Sequence, residues 1–255
     1  MAWNPEQYDK FKQERAEPVS DLLSMVKIRS SMRVIDLGCG TGEHTRRLAD
    51  ILPQSQVIGI DSSTEMLLKA NQFLCKGLTF SLGSFENFDG EYDLIFSNAA
   101  LQWRGNHKKL IPNLWQHLSA GGQIVVQMPQ NQDHLSHQIA KQLAETDFAE
   151  YFPSLNNPTE RFGWVLPIEQ YAEILFSLGG SDIVAFLKVY PHILENSDAI
   201  VEWTKVTLLV PFMEQLPTNQ QQLFIDKYRK ILRSELPESP IFYGFKRILF
   251  SAVKP

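Results

Sequence analysis

Two cysteines in 255 residues, Cys39 and Cys75, are too few for a disulfide framework or a cysteine-based zinc site. No lysine- or arginine-rich run occurs, and 24 basic against 29 acidic side chains leave a formal charge of −5. A nucleic-acid enzyme would carry a basic footprint, so no nucleic-acid partner is expected. No apolar run reaches membrane-spanning length and the first residues do not resemble a signal peptide, which points to a cytoplasmic protein with no membrane partner. Also missing are the Gly-Lys-Ser/Thr ending of a phosphate loop and a serine in a nucleophile elbow. His134 and His137 stand at i, i+3, but no third ligand is marked, so no metal is expected. Neither repeats nor low-complexity segments are found. What is present is ordinary globular composition, 44% hydrophobic and 21% charged, enough for one full core and a small cap.

The chain is organised around Val34-Ile35-Asp36-Leu37-Gly38-Cys39-Gly40-Thr41-Gly42. Val34 to Leu37 reads as a buried strand ending in a turn with glycines at alternate positions. Glu43 to Leu52 reads as a helix stopped by Pro53. Such glycines let the backbone bend sharply and approach a ligand with no Cβ in the way. The helix then aims its first N–H groups at whatever lies over the loop. The spacing is G-x-G-x-G rather than the G-x-G-x-x-G of a dinucleotide site. A second strand, Val57 to Ile60, ends in Asp61, whose carboxylate suits the two hydroxyls of a ribose. A ribose carboxylate without a phosphate grip fits a nucleoside bearing a cation.

This pattern resembles the first two motifs of class I S-adenosylmethionine-dependent methyltransferases. The resemblance implies an α/β, Rossmann-like fold and S-adenosyl-L-methionine as cofactor, held by Asp36, Gly38, Cys39, Gly40, Thr41, Gly42 and Asp61. Ser62 and Glu65 have capping-box spacing before Met66, Leu67 and Ala70, so a helix is expected to begin at the cofactor with Ser62 and Met66 beside it. The third strand, Leu78 to Leu82, ends in Gly83-Ser84-Phe85. Related enzymes often place there an acidic residue that binds the adenine amino group; here it is Ser84. Phe85 either flanks the adenine or belongs to the core.

A fourth strand, Tyr92 to Ser97, runs into Asn98-Ala99-Ala100-Leu101-Gln102-Trp103. Ligands of open parallel sheets lie beyond the strands' carboxyl ends, so Asn98 faces the methyl donor, and Asn98 and Trp103 are the candidates to orient the reactants. A helix from about His107 to Leu118, a Gly121-Gly122 turn and a fifth strand, Gln123 to Met128, follow, with Gln127 and Asn131 at the ligand end. Next come a helix over His134 to Ala149, an irregular aromatic stretch from Tyr151 to Pro167, a helix over Tyr171 to Leu178 and a strand over Ile183 to Tyr190. Helices over Ser197 to Leu216 and Asn219 to Leu236 precede a last run, Ile241 to Val253, expected to finish a mostly parallel sheet as an antiparallel strand. Tyr8, Phe11 and Arg15 share one helical face and form either a lid over the cofactor or part of a packing helix.

Together the pieces resemble the trans-aconitate 2-methyltransferase family along nearly the whole chain: Trp3-Asn4-Pro5 with Tyr8, Phe11 and Glu14-Arg15; Ile60-Asp61-Ser62-Ser63; Leu101-Gln102-Trp103; Gln127-Met128-Pro129; Ala199 to Trp203; and Pro211-Phe212. The family tends to carry an arginine directly before that last pair, and here the position is Val210. A neighbouring family, the malonyl carrier-protein methyltransferases of biotin synthesis, shares the Gln-Trp loop. The organisation implied is an N-terminal lid or packing helix over 1–30, a cofactor-binding core over 31–132, a helical cap and substrate region over 133–182, and a C-terminal completion of the sheet with a helical insertion over 183–255.

The expected reaction is methyl transfer to a carboxylate of a small organic acid. A carboxyl with pKa near ~4 is already ionised at neutral pH, so no catalytic base is required, and none is marked. A polycarboxylate needs cations. Arg15, Arg104, His107 and Arg161 are the available ones, with Arg15 the first choice and Arg161 reading more readily as a solvated loop residue. The expected substrate contacts are Tyr8, Arg15, Trp103, Gln127, Asn131 and Arg161. A nicotinamide oxidoreductase on the same fold and a cofactor-binding regulator without a substrate pocket are the rival readings; oligomeric state leaves no mark in the sequence.

Overall fold

Val34 and Ile35 show how the core is layered, since adjacent residues of a strand face opposite sides of a sheet. In the computed structural model, which describes residues 12–153, 157–237 and 239–255 with side chains from Glu17 onward, both are fully buried, each in a different cluster. The strands are β1 (Arg33–Leu37), β2 (Gln56–Asp61), β3 (Leu78–Leu82), β4 (Tyr92–Asn98), β5 (Leu118–Pro129), β6 (Ser181–Leu194) and β7 (Ile241–Val253). They form one sheet in the order β3-β2-β1-β4-β5-β7-β6. The first five pair in parallel, and β7 runs antiparallel to β5. This is the α/β architecture expected from the sequence, with its antiparallel last strand.

The chain divides into two compact units, the larger made of residues 17–129, 164–188 and 247–255. Helices α1 (Lys12–Ser24), α2 (Glu43–Ile51), α3 (Thr64–Ala70), α4 (His107–Gln116) and α6 (Ile168–Ser177) accompany its strands. On one face Val34, Phe96, Val125 and Leu249 pack with Leu22 of α1 and Leu48 of α2. On the other, Ile35, Ile95, Ile124, Ile248 and Phe250 pack with Ile111, Leu114 and Trp115 of α4 and Tyr171 and Leu175 of α6. Each face is a contiguous apolar layer, as a parallel sheet covered on both sides requires.

The other unit holds the described residues up to 16 together with 130–163 and 189–246. Its helices are α5 (Leu135–Glu145), α7 (Ser197–Lys205), α8 (Val210–Gln215) and α9 (Thr218–Glu235). Ile139, Leu143, Phe148, Trp203, Phe212, Phe224, Tyr228 and Tyr243 make its core, rich in ring-on-ring contacts such as Phe148–Phe224 at 4.9 Å.

Three local expectations are corrected. The cap of α3 is Ser63, whose hydroxyl accepts from Met66 N at 3.2 Å, not Ser62. Asp61 explains the shift: its Oδ1 accepts from Ser63 N at 2.9 Å, so the chain turns once around the carboxylate before the helix begins. The helix expected over 197–216 is two, α7 and α8, because Pro211 is tolerated only in a first turn, which starts α8 at Val210. Finally, β5 begins at Leu118, with Gly121 and Gly122 inside the strand and a register shift against β4 between Tyr92 and Leu94.

Candidate active site

The glycine turn follows β1 at the carboxyl end of the sheet. Gly38, Gly40 and Gly42 all have positive φ, at 77°, 54° and 79°. Two of them are hemmed in: a Cβ on Gly38 would stand 2.3 Å from the Ala100 Cβ, and one on Gly42 would stand 2.7 Å from Phe80 and 2.8 Å from Ala70. A Cβ on Gly40 would meet nothing within 4 Å among the described residues. The outer glycines thus let the loop pack on its neighbours, and the middle one presents bare backbone to open space.

Two carboxylates flank the loop. Asp61 Oδ2 accepts from Gly40 N at 2.9 Å while its Oδ1 accepts from Ser63 N, which fixes the side chain and leaves each oxygen a further lone pair. Asp36 is 2% exposed. Its Oδ2 accepts from Thr45 Oγ1 at 2.6 Å, and its Oδ1 is buried with no hydrogen-bond partner among the described residues. Burial pushes the Asp36 carboxyl up to about 7; the Thr45 hydrogen bond opposes the rise and the Asp61 charge adds to it. The Cys39 thiol is raised as well, by burial and then by Asp36 and Asp61, so it stays protonated and inert. An orphaned buried carboxylate oxygen, open space over Gly40 and a fixed second carboxylate together fit a cationic nucleoside such as S-adenosylmethionine.

The other expected cofactor residues border the same turn. Thr41 is half-buried, Ser62 is exposed beside Asp61, and Met66 is half-buried on the first turn of α3. Ser84 bridges to Asn87. Phe85 lies against the glycine loop, 3.4 Å from where a Gly38 Cβ would be, and packs on the core. Asn98 is half-buried at the end of β4. Next to it Ala99 holds φ 51°, unusual for a residue with a Cβ. Its N–H donates to Gln127 O at 2.9 Å and its carbonyl accepts from Gln102 Nε2 at 2.6 Å.

The substrate candidates scatter. Tyr8 lies outside the described residues, as does Phe11, and the Arg15 side chain does too, although its backbone is part of α1. Trp103 is 44% exposed on a 3-10 turn, Leu101–Trp103. Gln127 is buried and bonded on both sides, Nε2 to Asn98 Oδ1 at 2.6 Å and Oε1 to Arg247 Nη1 at 2.9 Å. Asn131 spends its amide on the Lys246 backbone, accepting from N at 2.7 Å and donating to O at 3.1 Å, which gives it a structural task in the helical unit. Arg161 is half-buried in the same unit.

Of two further cations proposed from the sequence, Arg104 stays at the surface and His107 is corrected. Arg104 pairs with Glu86 at 2.9 Å on the surface. His107 is 1% exposed, and burial lowers its pKa, so it is a neutral core imidazole rather than a cation at the mouth. Its Nε2 donates to Leu101 O at 3.0 Å and its Nδ1 accepts from the Tyr171 hydroxyl, which in turn accepts from Leu166 N at 3.1 Å. This relay ties the Leu101–Trp103 turn to α6. Tyr171 and Arg247, bonded to His107 and Gln127, are neighbours of the candidate residues that the sequence did not mark. His134 and His137 also have structural partners: His134 caps α5 through Ser136 N at 3.2 Å, and His137 contacts Ser136 Oγ at 3.2 Å, with burial and then His134 lowering its pKa to about 3.

Comparison with known proteins places these features in context. A family model described as a methyltransferase domain matches residues 28–166. A trans-aconitate 2-methyltransferase of Deinococcus radiodurans is 42% identical over 261 residues, covering 100% of this chain and 99% of that protein. Among solved structures, the YcgJ protein of Bacillus subtilis aligns with a TM-score of 0.62 at 16% identity, over 94% of this chain and 98% of that one. Haemonchus contortus phosphoethanolamine N-methyltransferase 2, in complex with S-adenosyl-L-methionine, aligns with a TM-score of 0.55 at 21% identity, over 94% of this chain and 52% of that one. Likeness at these identities speaks for the fold. No described helix is long and apolar enough to cross a membrane.

Proposed function

Because the chain belongs to the trans-aconitate 2-methyltransferase family of S-adenosylmethionine-dependent methyltransferases, we propose that it converts one carboxylate of a small polycarboxylic acid, trans-aconitate or a close analogue, to its methyl ester. The observation that carries the site is the glycine turn set between two carboxylates, one with an orphaned oxygen. When bound, S-adenosylmethionine supplies an electrophilic methyl on a sulfonium; the acid's oxygen forms the new C–O bond as the C–S pair stays with sulfur.

The chain's residues bind and orient. Asp61 is assigned to the ribose hydroxyls, Asp36 to the cationic end of the methionine moiety, and Gly40 to the close approach of backbone and ligand. Asn98 and Trp103 line the side where the acid enters. No group need take a proton, since the acid arrives ionised. Rate enhancement then comes from holding oxygen, methyl and sulfur in line and from excluding water around a reaction that neutralises two charges.

Replacing Asp61 with Ala is expected to weaken cofactor binding by about 1.5–3 kcal/mol, the scale of hydrogen bonds to a charged group. Calorimetry on a variant with an unchanged melting profile reads this directly; unaltered affinity would remove the ribose assignment.

The reaction itself is tested by incubating the protein with labelled methyl donor against a panel of di- and tricarboxylic acids and malonyl carrier protein. Label in a small-acid methyl ester is expected. At saturating donor and acid, kcat should be nearly flat from about pH 6 to 9, because a carboxyl with pKa near ~4 does not titrate there. A kcat that climbs with pH would point to an amine or hydroxyl acceptor, and label confined to the carrier protein would move the enzyme to the neighbouring family.

A further inference from the structure

We infer that Gln127 is a positioning residue that fixes the Asn98 amide with its NH2 toward a non-reacting carboxylate of the acceptor acid, an inference that rests on the carboxylate reading of the function. β-Strand alternation puts Val34 and Asp36 of β1, Phe96 and Asn98 of β4, and Val125 and Gln127 of β5 on the same face of the sheet. Val34, Phe96 and Val125 belong to the buried layer of that face. Asp36, Asn98 and Gln127 continue the same rows toward the carboxyl ends of their strands, where ligands of parallel sheets lie. The carboxylates assigned to the methyl donor stand on β1 and β2, and β4 flanks β1 on the side away from β2. Asn98 is therefore the first polar side chain of this face beyond those assigned to the donor, on the flank left for the acceptor.

Hydrogen-bond direction decides which way its amide points. A guanidinium has only donors, so the group of Gln127 that meets Arg247 Nη1 at 2.9 Å is its oxygen. The Gln127 NH2 is thereby turned to Asn98, and it donates to Oδ1 at 2.6 Å. With its oxygen committed, Asn98 has its NH2 left to give. The side chain is half-buried and makes no other hydrogen bond among the described residues. Whatever else the guanidinium touches, it cannot accept a hydrogen bond, and that alone sets the direction of the relay.

Gln127 holds Asn98 by two handles. Its side chain is 1% exposed, so water does not compete for the amide. Its backbone oxygen accepts from Ala99 N at 2.9 Å, which fixes the main chain just past Asn98 in its left-handed turn, φ 51°. An asparagine left to rotate would offer its oxygen as readily as its NH2. A carboxylate only accepts, so a donor held in place favours it over an amide of the same shape that presents N–H groups. A donor on the attacking oxygen would damp its nucleophilicity, which is why the group received is a carboxylate that does not react.

The test is Gln127→Glu, which keeps the shape, the Arg247 contact and the backbone bond to Ala99. Beside the guanidinium the new carboxyl stays ionised and has no proton for Asn98, so the asparagine amide turns over and presents its oxygen. Wild type and variant are compared on the acid that wild type methylates best and on analogues in which each non-reacting carboxylate in turn is an amide. The acid's KM is expected to rise about 10- to 150-fold, the range for losing a hydrogen bond to a charged group, and the preference of acid over one amide analogue should collapse. The kcat and the dissociation constant of S-adenosylhomocysteine should each stay within about threefold, because the interaction lost belongs to acceptor binding. In an Asn98→Ala background the glutamate should add nothing to the acid's KM, whereas a plain charge effect would persist. If the glutamate variant fails to fold, nitrogen-15 spectra of wild type decide: the Asn98 NH2 signals, identified by their loss in Asn98→Ala, should shift when the acid joins the S-adenosylhomocysteine complex. An unchanged acid KM in folded Gln127→Glu, an equal effect without Asn98, or NH2 signals that the acid does not move would overturn the inference and leave the methyltransferase reading intact. Equal losses of cofactor and acid affinity, the mark of a purely structural role, also overturn it. Wild type that methylates no carboxylic acid removes the function reading and this inference with it.

Discussion

Replacing Gly40 with Val should leave a folded protein that no longer binds S-adenosylmethionine. A Cβ at this position meets nothing within 4 Å among the described residues, which leaves room for the side chain. What it pays locally is the left-handed backbone, φ 54°, which costs an L-residue roughly 1–2 kcal/mol and a β-branched one somewhat more. The Gly40 N–H keeps its acceptor on Asp61, because a side chain does not alter that bond. The isopropyl group, however, fills the space assigned to the methionine moiety. Affinity is expected to drop by more than about a thousandfold, roughly 4 kcal/mol, in calorimetry, with a melting temperature lowered by only a few degrees. Gly38→Ala makes the contrast: a single methyl 2.3 Å from the Ala100 Cβ cannot be accommodated without moving the Ala99–Ala100 backbone, and the damage should appear in the melt before any ligand is added. Tight binding by a folded Gly40→Val protein would show that the space over the loop is not where the cofactor lies.

Cofactor affinity should also rise steeply with pH. Asp36 in the free protein titrates at about 7, against an ordinary value of 3.8. With its folded value raised, its contribution to stability is present below pH about 4 and is lost as the pH climbs toward and past 7. A cation placed against the orphaned oxygen favours the ionised carboxyl, so binding expels the proton. Below pH 7 the ligand must drive that ionisation, and observed affinity falls by up to tenfold per pH unit. Between pH 7.5 and 5.5 the loss is about 25-fold for a group titrating near 7. Calorimetry in buffers of different ionisation enthalpy should register the released proton. Asp36→Asn, which keeps the shape and cannot ionise, should flatten the profile; an unchanged slope in that variant would separate Asp36 from the ligand.

The parts legible in the sequence were those whose chemistry is local. Gly38 to Gly42 and Asp36 lie within seven residues of one another, and the strands expected over Leu78 to Leu82 and Tyr92 to Ser97 match β3 and β4 to within a residue. Ser63 was missed by one position because the Asp61 carboxylate takes up a residue in turning, an effect of side-chain hydrogen bonding that periodicity does not register. The start of β5 was missed because glycines that usually mark a turn sit inside a strand across from a register shift. Tyr171 and Arg247 left no trace for a different reason. Their partners, His107 and Gln127, lie 64 and 120 residues away, and each residue taken alone reads as a plain helix or strand position. The packing of α6 on the sheet brings Tyr171 to His107, and the pairing of β7 with β5 brings Arg247 to Gln127.

The strand order has a consequence for how the protein is made. β7 follows every other described element in the chain, yet it lies between β5 and β6. Until it emerges from the ribosome, β5 and β6 both present open edges with unpaired backbone groups, which is where strands recruit the wrong partner. The glycine turn, Asp36 and Asp61 are synthesised within the first quarter of the chain, whereas Arg247 arrives in the final strand. A growing chain therefore possesses the glycine turn and the two carboxylates assigned to the methyl donor long before the strand that closes the sheet between β5 and β6 has been made.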